Sequence, residues 1–263
     1  MKKLAGKSAI VFGAAGPGNM GQVIAKRFVD EGADVLVAGR NEEELNRFST
    51  EIGGAYAVCD ITNRDDINRM VTKAAKTFGD IHIAVNATGW GLMAPFAETT
   101  EDDLDKMIAL QFKGPFQFLQ AIAPLMQNAG GSIIQISSAT ATIMLQDHAA
   151  YMGTKAGIDH VIRCVANEYG QYGVRANSIS PGLTDTPMTS DALMAPGLKE
   201  AFANEYPLGR IGTSDDIAAA AVFLSSDDCF MTGQNLQVNG GLTLRRNPTQ
   251  EEVGLAIEKA SAG

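Results

Sequence analysis

Short apolar or β-branched runs alternate with longer segments of helical period along this chain. Ser8–Phe12, Gly21–Glu31, Asp34–Ala38, Glu42–Thr50 and Ala55–Val58 read strand, helix, strand, helix, strand. The alternation continues with a helix over Asp65–Phe78, a strand Ile81–Asn86, a long helix within Thr100–Gln127, a strand Ser132–Ser137 and a helix Tyr151–Tyr169. Arg175–Ile179 and Asn235–Val238 supply later strands. Right-handed crossovers place the strand carboxyl ends along one edge of a parallel sheet, where ligands bind. The pattern predicts an α/β fold: a doubly wound parallel sheet of about seven strands with helices on both faces.

At 263 residues and 45% hydrophobic composition the chain can bury one large core, so one domain is expected over residues 1–244, with a tail over 245–263. A net charge of −9 argues against nucleic acid or an anionic membrane as partner and toward a small molecule. Cys59, Cys164 and Cys229 are odd in number and form no C-x-x-C pair. Neither a disulfide framework nor a metal site is expected, and a reducing, cytoplasmic setting is. Lys7 interrupts the apolar stretch after Lys2 and Lys3, so Ser8–Phe12 reads as a first strand and not as a signal-peptide core.

The first strand runs into Gly13-Ala-Ala-Gly16-Pro-Gly18-Asn19-Met20-Gly21 and then a helix. Such a turn presents backbone N–H groups at a helix N-terminus, where the dipole and the unpaired donors favour an anion such as a pyrophosphate. The second strand ends at Gly39-Arg40, where a dinucleotide fold reads the ribose 2′ position. An acid there would bind the 2′-hydroxyl of NAD. Arg40 instead suits the 2′-phosphate, so NADP(H) is favoured over NAD(H).

Tyr151 and Lys155 stand four residues apart at the start of a helix and share a face. A lysine cation about 4 Å from a phenol, at an effective dielectric near 20, favours the phenolate by up to roughly 4 kcal/mol. Tyr151 is therefore expected to act as general acid or base near neutrality. Ser138 ends a strand thirteen residues earlier, at the same sheet edge, and its hydroxyl can hold a substrate oxygen.

This ordered set resembles the short-chain dehydrogenase/reductase family, in its single-domain branch, from about Lys7 to Thr243. The resemblance implies a Rossmann-type fold and NAD(P)-dependent hydride transfer at a ketone or secondary alcohol. It assigns Ser138, Tyr151 and Lys155 to catalysis. It assigns the cofactor to Gly13, Gly18, Asn19, Met20 and Arg40 in the first half-site, Asp60 and Ile61 after the third strand, and Asn86, Ala87 and Gly89 after the fourth. Pro181, Gly182, Thr184 and Thr186 would hold the nicotinamide carboxamide, and Tyr151 and Lys155 the nicotinamide ribose. A homotetramer is also implied, packed through the helices around Gly114 and Gly157.

The chain departs from the family pattern at several points. The glycine-rich turn is two residues longer than usual, and Asn19 replaces its middle glycine. Gln111 stands where an asparagine keeps a water on the lysine, so the amide is expected to serve a proton relay from one methylene further away.

The substrate loop, about 184–210, carries Met188, Leu193, Met194, Phe202 and Tyr206, and Trp90, Met93 and Met144 face it. An apolar, adaptable lining suits a cyclic or aromatic ketone or alcohol. Reduction of a 3-oxoacyl or enoyl thioester is the alternative, and a non-catalytic dinucleotide-binding regulator is the alternative of another class. The tail after Leu244, with a helical pattern at Glu251–Ala260, is expected either to cover a neighbouring subunit or to stay disordered.

Overall fold

In a computed structural model of the protein, which describes residues 2–262, seven parallel strands form one sheet. Met1 and Gly263, the outer ends of the expected domain and tail, lie outside the described residues. The strands are β1 (Ser8–Phe12), β2 (Asp34–Gly39), β3 (Ala55–Val58), β4 (Ile83–Asn86), β5 (Gly131–Ile136), β6 (Val174–Pro181) and, after the short β7 (Thr184–Asp185) and β8 (Gly212–Thr213), β9 (Asn235–Val238). Their order is β3-β2-β1-β4-β5-β6-β9, so the chain reverses direction across the sheet between β1 and β4. That reversal point is where an open α/β sheet leaves a crevice at its carboxyl edge.

The strands are apolar along their length because both faces are covered. Ala9 and Val11 point to one layer with Ile24 and Phe28 of α1 (Met20–Asp30) and Leu45 of α2 (Glu42–Ile52). Ile10 and Phe12 point to the other, with Ile67 and Met70 of α3 (Arg64–Phe78). Phe12 meets the buried Phe118 edge to face, ring centroids 5.8 Å apart, which fastens β1 to the helix that follows β4. Asn19, Asn41 and Asn63 cap α1, α2 and α3 by accepting first-turn amides, so each of these crossovers begins on an asparagine.

The helix expected within Thr100–Gln127 is broken into α4 (Glu101–Ile108), a π-helical turn Ala109–Lys113, α5 (Gly114–Ile122) and a 3₁₀ turn Ala123–Met126. Pro115 explains the widening, because it has no N–H to return to the Gln111 carbonyl and its ring crowds that position. Helix α6 (Ala149–Tyr169) follows β5, and α7 (Ser190–Leu193) and α8 (Leu198–Ala203) lie in the substrate loop, whose ends are joined by the β7–β8 pair.

Two elements differ from expectation. Helix α9 (Ser214–Ser225) was not signalled by periodicity, since its alanine run carries little amphipathic contrast, yet Thr213 and Asp216 form a capping box at its start. The tail is ordered as a helix: α10 (Gln250–Ser261) lies on α8. The Ala256 carbonyl presses on Gly197, Asn247 donates to the Met144 carbonyl at 2.9 Å, and Gln250 donates to Asp147 at 2.5 Å. Among the described residues no helix is long and apolar enough to cross a membrane.

Candidate active site

The turn between β1 and α1 is built without side chains where they would obstruct it. A Cβ on Gly13, which has φ +98°, would lie 2.7 Å from the Ala87 carbonyl carbon, and one on Gly21 would lie 2.5 Å from the Gly13 oxygen. Gly18 takes the left-handed conformation, φ +64°, while Asn19 stays extended and caps α1. Asn19 also donates to the Gly13 carbonyl at 2.9 Å, and Gln22 accepts from the Gly18 amide at 2.9 Å. These side chains hold the longer turn, and Met20 opens the helix whose first-turn amides face the crevice. The cradle thus fits a dinucleotide pyrophosphate.

Around it stand the other residues expected to hold a cofactor. Arg40, at the end of β2, is exposed and makes no ion pair among the described residues. Of the glutamates that follow, Glu44 is engaged elsewhere. Glu44 is tied to Arg47 and Gln22, and hydrogen bonds from that arginine hold its carboxyl down at about 2. Asp60 accepts from the backbone and hydroxyl of Thr62 at 2.9 and 2.8 Å, and Ile61 is buried beside Gly114. Asn86 is buried, donates to Gln135 at 3.0 Å and accepts from the Thr88 amide and hydroxyl. It joins β4 to β5 at the level where Ala87 bonds to Phe12. Pro181 closes β6, Gly182 abuts the Tyr206 hydroxyl, and Thr184 and Thr186 are linked through the Thr189 hydroxyl.

Ser138, Tyr151 and Lys155 converge at the carboxyl end of β5. Ser138 stands two residues beyond the strand and shares a hydrogen bond with Thr140 at 2.9 Å. Lys155, 3% exposed, donates to the Ile136 carbonyl at 2.9 Å, and its Nζ sits 5.7 Å from the centre of the Tyr151 ring. A Cβ on Gly89 would stand 3.4 Å from Gln111 Oε1 and 3.8 Å from Lys155 Nζ, so Gln111 reaches the lysine's surroundings. Its Nε2 contacts the Met107 sulfur, and its buried Oε1 has no partner among the described residues.

The electrostatics differ from expectation. Burial pushes the Tyr151 phenol above its ordinary value, and a hydrogen bond with Ser138 only partly offsets this. Burial also lowers Lys155 to about 8, against the opposing charge of Asp159. Desolvation outweighs the tyrosine–lysine attraction that the spacing suggested.

Sequence reasoning missed Asp159. It lies one turn beyond Lys155 on α6 and accepts from Ser137 at 2.7 Å and from Asn235 at 2.6 Å. Its signal was the four-residue spacing from the lysine. The apolar residues divide: Leu193, Phe202 and Tyr206 pack with Ala139 and Leu242 in a small core, whereas Met144, Met188 and Met194 are exposed. A concavity of about 320 Å³ between Lys7, His82 and Arg175 lies at the opposite, amino edge of the sheet, away from these groups.

A family model described as enoyl-(acyl carrier protein) reductase matches residues 13–243. The chain is 34% identical over 250 residues to a D-threitol dehydrogenase of Mycolicibacterium smegmatis, covering 92% of this chain and 95% of that protein. It is 33% identical over 261 residues to a trans-4-hydroxycyclohexanecarboxylate dehydrogenase of Sinomonas cyclohexanicum, covering 95% and 97%. A solved short-chain type dehydrogenase/reductase from Mycobacterium ulcerans superimposes with a TM-score of 0.90 at 31% identity, over 99% of this chain and 98% of that one. With the glycine turn, the strand order and the clustered Ser138, Tyr151 and Lys155, these matches place the chain in the short-chain dehydrogenase/reductase family.

Proposed function

We propose that this oxidoreductase moves hydride between NADP(H) and a ring-bearing secondary alcohol or ketone, with Ser138, Tyr151 and Lys155 as its catalytic residues. The observation that carries the reading is their convergence beside the glycine cradle at one sheet edge. Cofactor contacts are assigned to Gly13, Gly18, Asn19, Met20, Arg40, Asp60, Ile61, Asn86, Ala87, Gly89, Pro181, Gly182, Thr184 and Thr186. The preference for NADP(H) over NAD(H) rests on the unpaired Arg40 and on the engagement of Glu44 with Arg47 and Gln22.

When bound, the nicotinamide supplies or accepts the hydride. The Ser138 hydroxyl holds the substrate oxygen. Tyr151 gives that oxygen a proton during reduction, and burial keeps the phenol protonated for this task. In oxidation the phenol must first lose its proton, which the Lys155 ammonium assists, so alcohol oxidation gains with rising pH until the lysine itself is neutralised. The Gln111 amide, beside Lys155, serves the onward movement of that proton.

The ring-bearing substrate is supported by the exposed methionines Met144, Met188 and Met194 and by the activity named for the Sinomonas relative. The Mycolicibacterium relative is named for an acyclic polyol, so cyclohexanols and threitol belong in one assay panel. A second reading, reduction of an enoyl or 3-oxoacyl thioester, takes its support from the description of the matched family model. The net charge of −9 disfavours docking of an acidic carrier. We further read residues 1–244 as one domain with the tail 245–263 folded on it, and the protein as a cytoplasmic homotetramer. The free thiols Cys59, Cys164 and Cys229 fit a reducing compartment.

Tyr151→Phe tests the catalytic assignment. Turnover is expected to fall by about 10²- to 10⁴-fold. NADPH at ~100 times its dissociation constant should still stabilise the variant by about 2.7 kcal/mol in thermal unfolding. Full turnover in Tyr151→Phe refutes the assignment.

A further inference from the structure

Asp159 is a buried acid that the mechanism above does not use. Its Oδ2 accepts from Ser137 Oγ at 2.7 Å and from Asn235 Nδ2 at 2.6 Å, so it links the residue just past β5 to the first residue of β9. Ser178 faces it from β6. Asp159 Oδ1 and Ser178 Oγ are both buried without a hydrogen-bond partner among the described residues. Such a site is costly to build from polar groups, and a hydrophobic residue would fill it at lower cost unless the charge has a use.

Two connections lead from it to the reacting end of the molecule. Lys155 is one helical turn earlier on the same face of α6. Ser137, held by Asp159, is the residue between Ile136, whose carbonyl accepts the Lys155 ammonium, and Ser138.

We propose that Asp159 is a positioning residue for Lys155 and Ser138: its carboxylate, pinned by Ser137 and Asn235, keeps the buried ammonium charged and fixes the chain just past β5 that carries the serine. This rests on the reading that Lys155 works as a cation in proton transfer. The titratable groups that act on Lys155 among the described residues are Tyr151 and Asp159, both on α6, the latter from beyond ion-pair distance. From β5 it meets the Ile136 carbonyl, and from the π-helical turn the neutral Gln111 amide. Burial drives Lys155 toward its neutral form, and the Asp159 charge opposes it. Asp159 is itself raised by burial, which Ser178, the Ser137 hydroxyl, the Lys155 charge and the Asn235 amide only partly offset.

The test is an NMR titration of ¹³C-labelled lysine side chains in the protein without added ligand, with the Lys155 signal assigned by its absence in Lys155→Arg. A midpoint near 8 is expected for the intact protein. Asp159→Asn keeps the size and removes the charge, and should move the midpoint down by about one pH unit, a tenfold loss of proton affinity. NADPH affinity, read by fluorescence at neutral pH, should stay within about twofold. An Asp159→Asn midpoint that does not move overturns the proposal, since a merely structural acid would leave it in place. If Asp159→Asn does not fold, Asp159→Ser carries the test. It also removes the charge, so the Lys155 midpoint should again fall, and an unchanged midpoint is again contrary. Retained turnover in Tyr151→Phe defeats the catalytic reading. A fixed midpoint beside an inactive Tyr151→Phe defeats this inference alone.

Discussion

Gly197 is the position at which one methyl group should separate the tail from the substrate loop. It stands at the N-terminus of α8 with φ +81°, and an added Cβ would lie 2.7 Å from the Ala256 carbonyl carbon and 3.2 Å from the Ala260 Cβ. The obstacle is backbone, so no rotamer relieves it. In Gly197→Ala the left-handed conformation costs about 1–2 kcal/mol whether or not α10 is docked. The overpacking falls on the docked state alone, at about 1–3 kcal/mol. Helix α10 contributes no buried residue, so it can detach without opening the core. Taking about 2 kcal/mol as the docked-state penalty, opening becomes roughly thirtyfold more frequent, at tenfold per 1.4 kcal/mol. Hydrogen exchange of the amides over 250–261 should accelerate by about that factor, while amides of β1 and β4 keep their protection. The tail also holds the Met144 carbonyl through Asn247, and Asp147 through Gln250. The KM for the alcohol should therefore rise while NADPH affinity holds. Unchanged exchange over 250–261 in a folded Gly197→Ala protein would refute the reasoning, because the clash would then have been absorbed elsewhere.

Gly13→Ala places a Cβ 2.7 Å from the Ala87 carbonyl carbon at a φ of +98°, so dinucleotide binding should weaken at least tenfold by isothermal titration; unchanged binding would show that the cradle yields. Because Lys155 falls from 10.5 to about 8 on folding, the unfolded chain binds more protons between those values, and stability should rise with pH across that window. Cys59, raised by burial from 9.0 to about 12, acts oppositely from pH 9 upward, so the measurement is the difference in melting temperature between the intact protein and Lys155→Met. That difference should move in favour of the intact protein from pH 8 to 10, and a flat difference would contradict the burial argument.

Much of the scaffold was legible because its signals are local. Ser8–Phe12, Ala55–Val58 and Asn235–Val238 were bounded correctly by apolar runs ending in polar or glycine residues. The asparagine caps lie beside the predicted helix starts for the same reason: the cap is chosen by the amides three residues away. What escaped was set by neighbours far along the chain or by a single breaker. Pro115 opens a π-helical turn inside what periodicity reads as one helix. The contact that seats the tail joins Asn247 to Met144 across 103 residues, and no short-range pattern encodes it.

The catalytic pair shows why residue identity was readable while its electrostatics were not. Spacing places Tyr151 and Lys155 on one face, where a charge pair at an effective dielectric near 20 gains on the order of a few kcal/mol at most. Removing an ammonium from water costs several kcal/mol even after relaxation, and Lys155 is 3% exposed. The second quantity exceeds the first, so both groups are driven toward their neutral forms: the phenol upward, the lysine down to about 8. Burial depends on Gly89, Gln111 and the end of β5 closing over the lysine, which only the assembled sheet brings about. A charge partner is then needed for Lys155 to remain a cation near neutrality. Asp159, held by donors just past β5 and on β9, is the carboxylate that the fold puts within one helical turn of it.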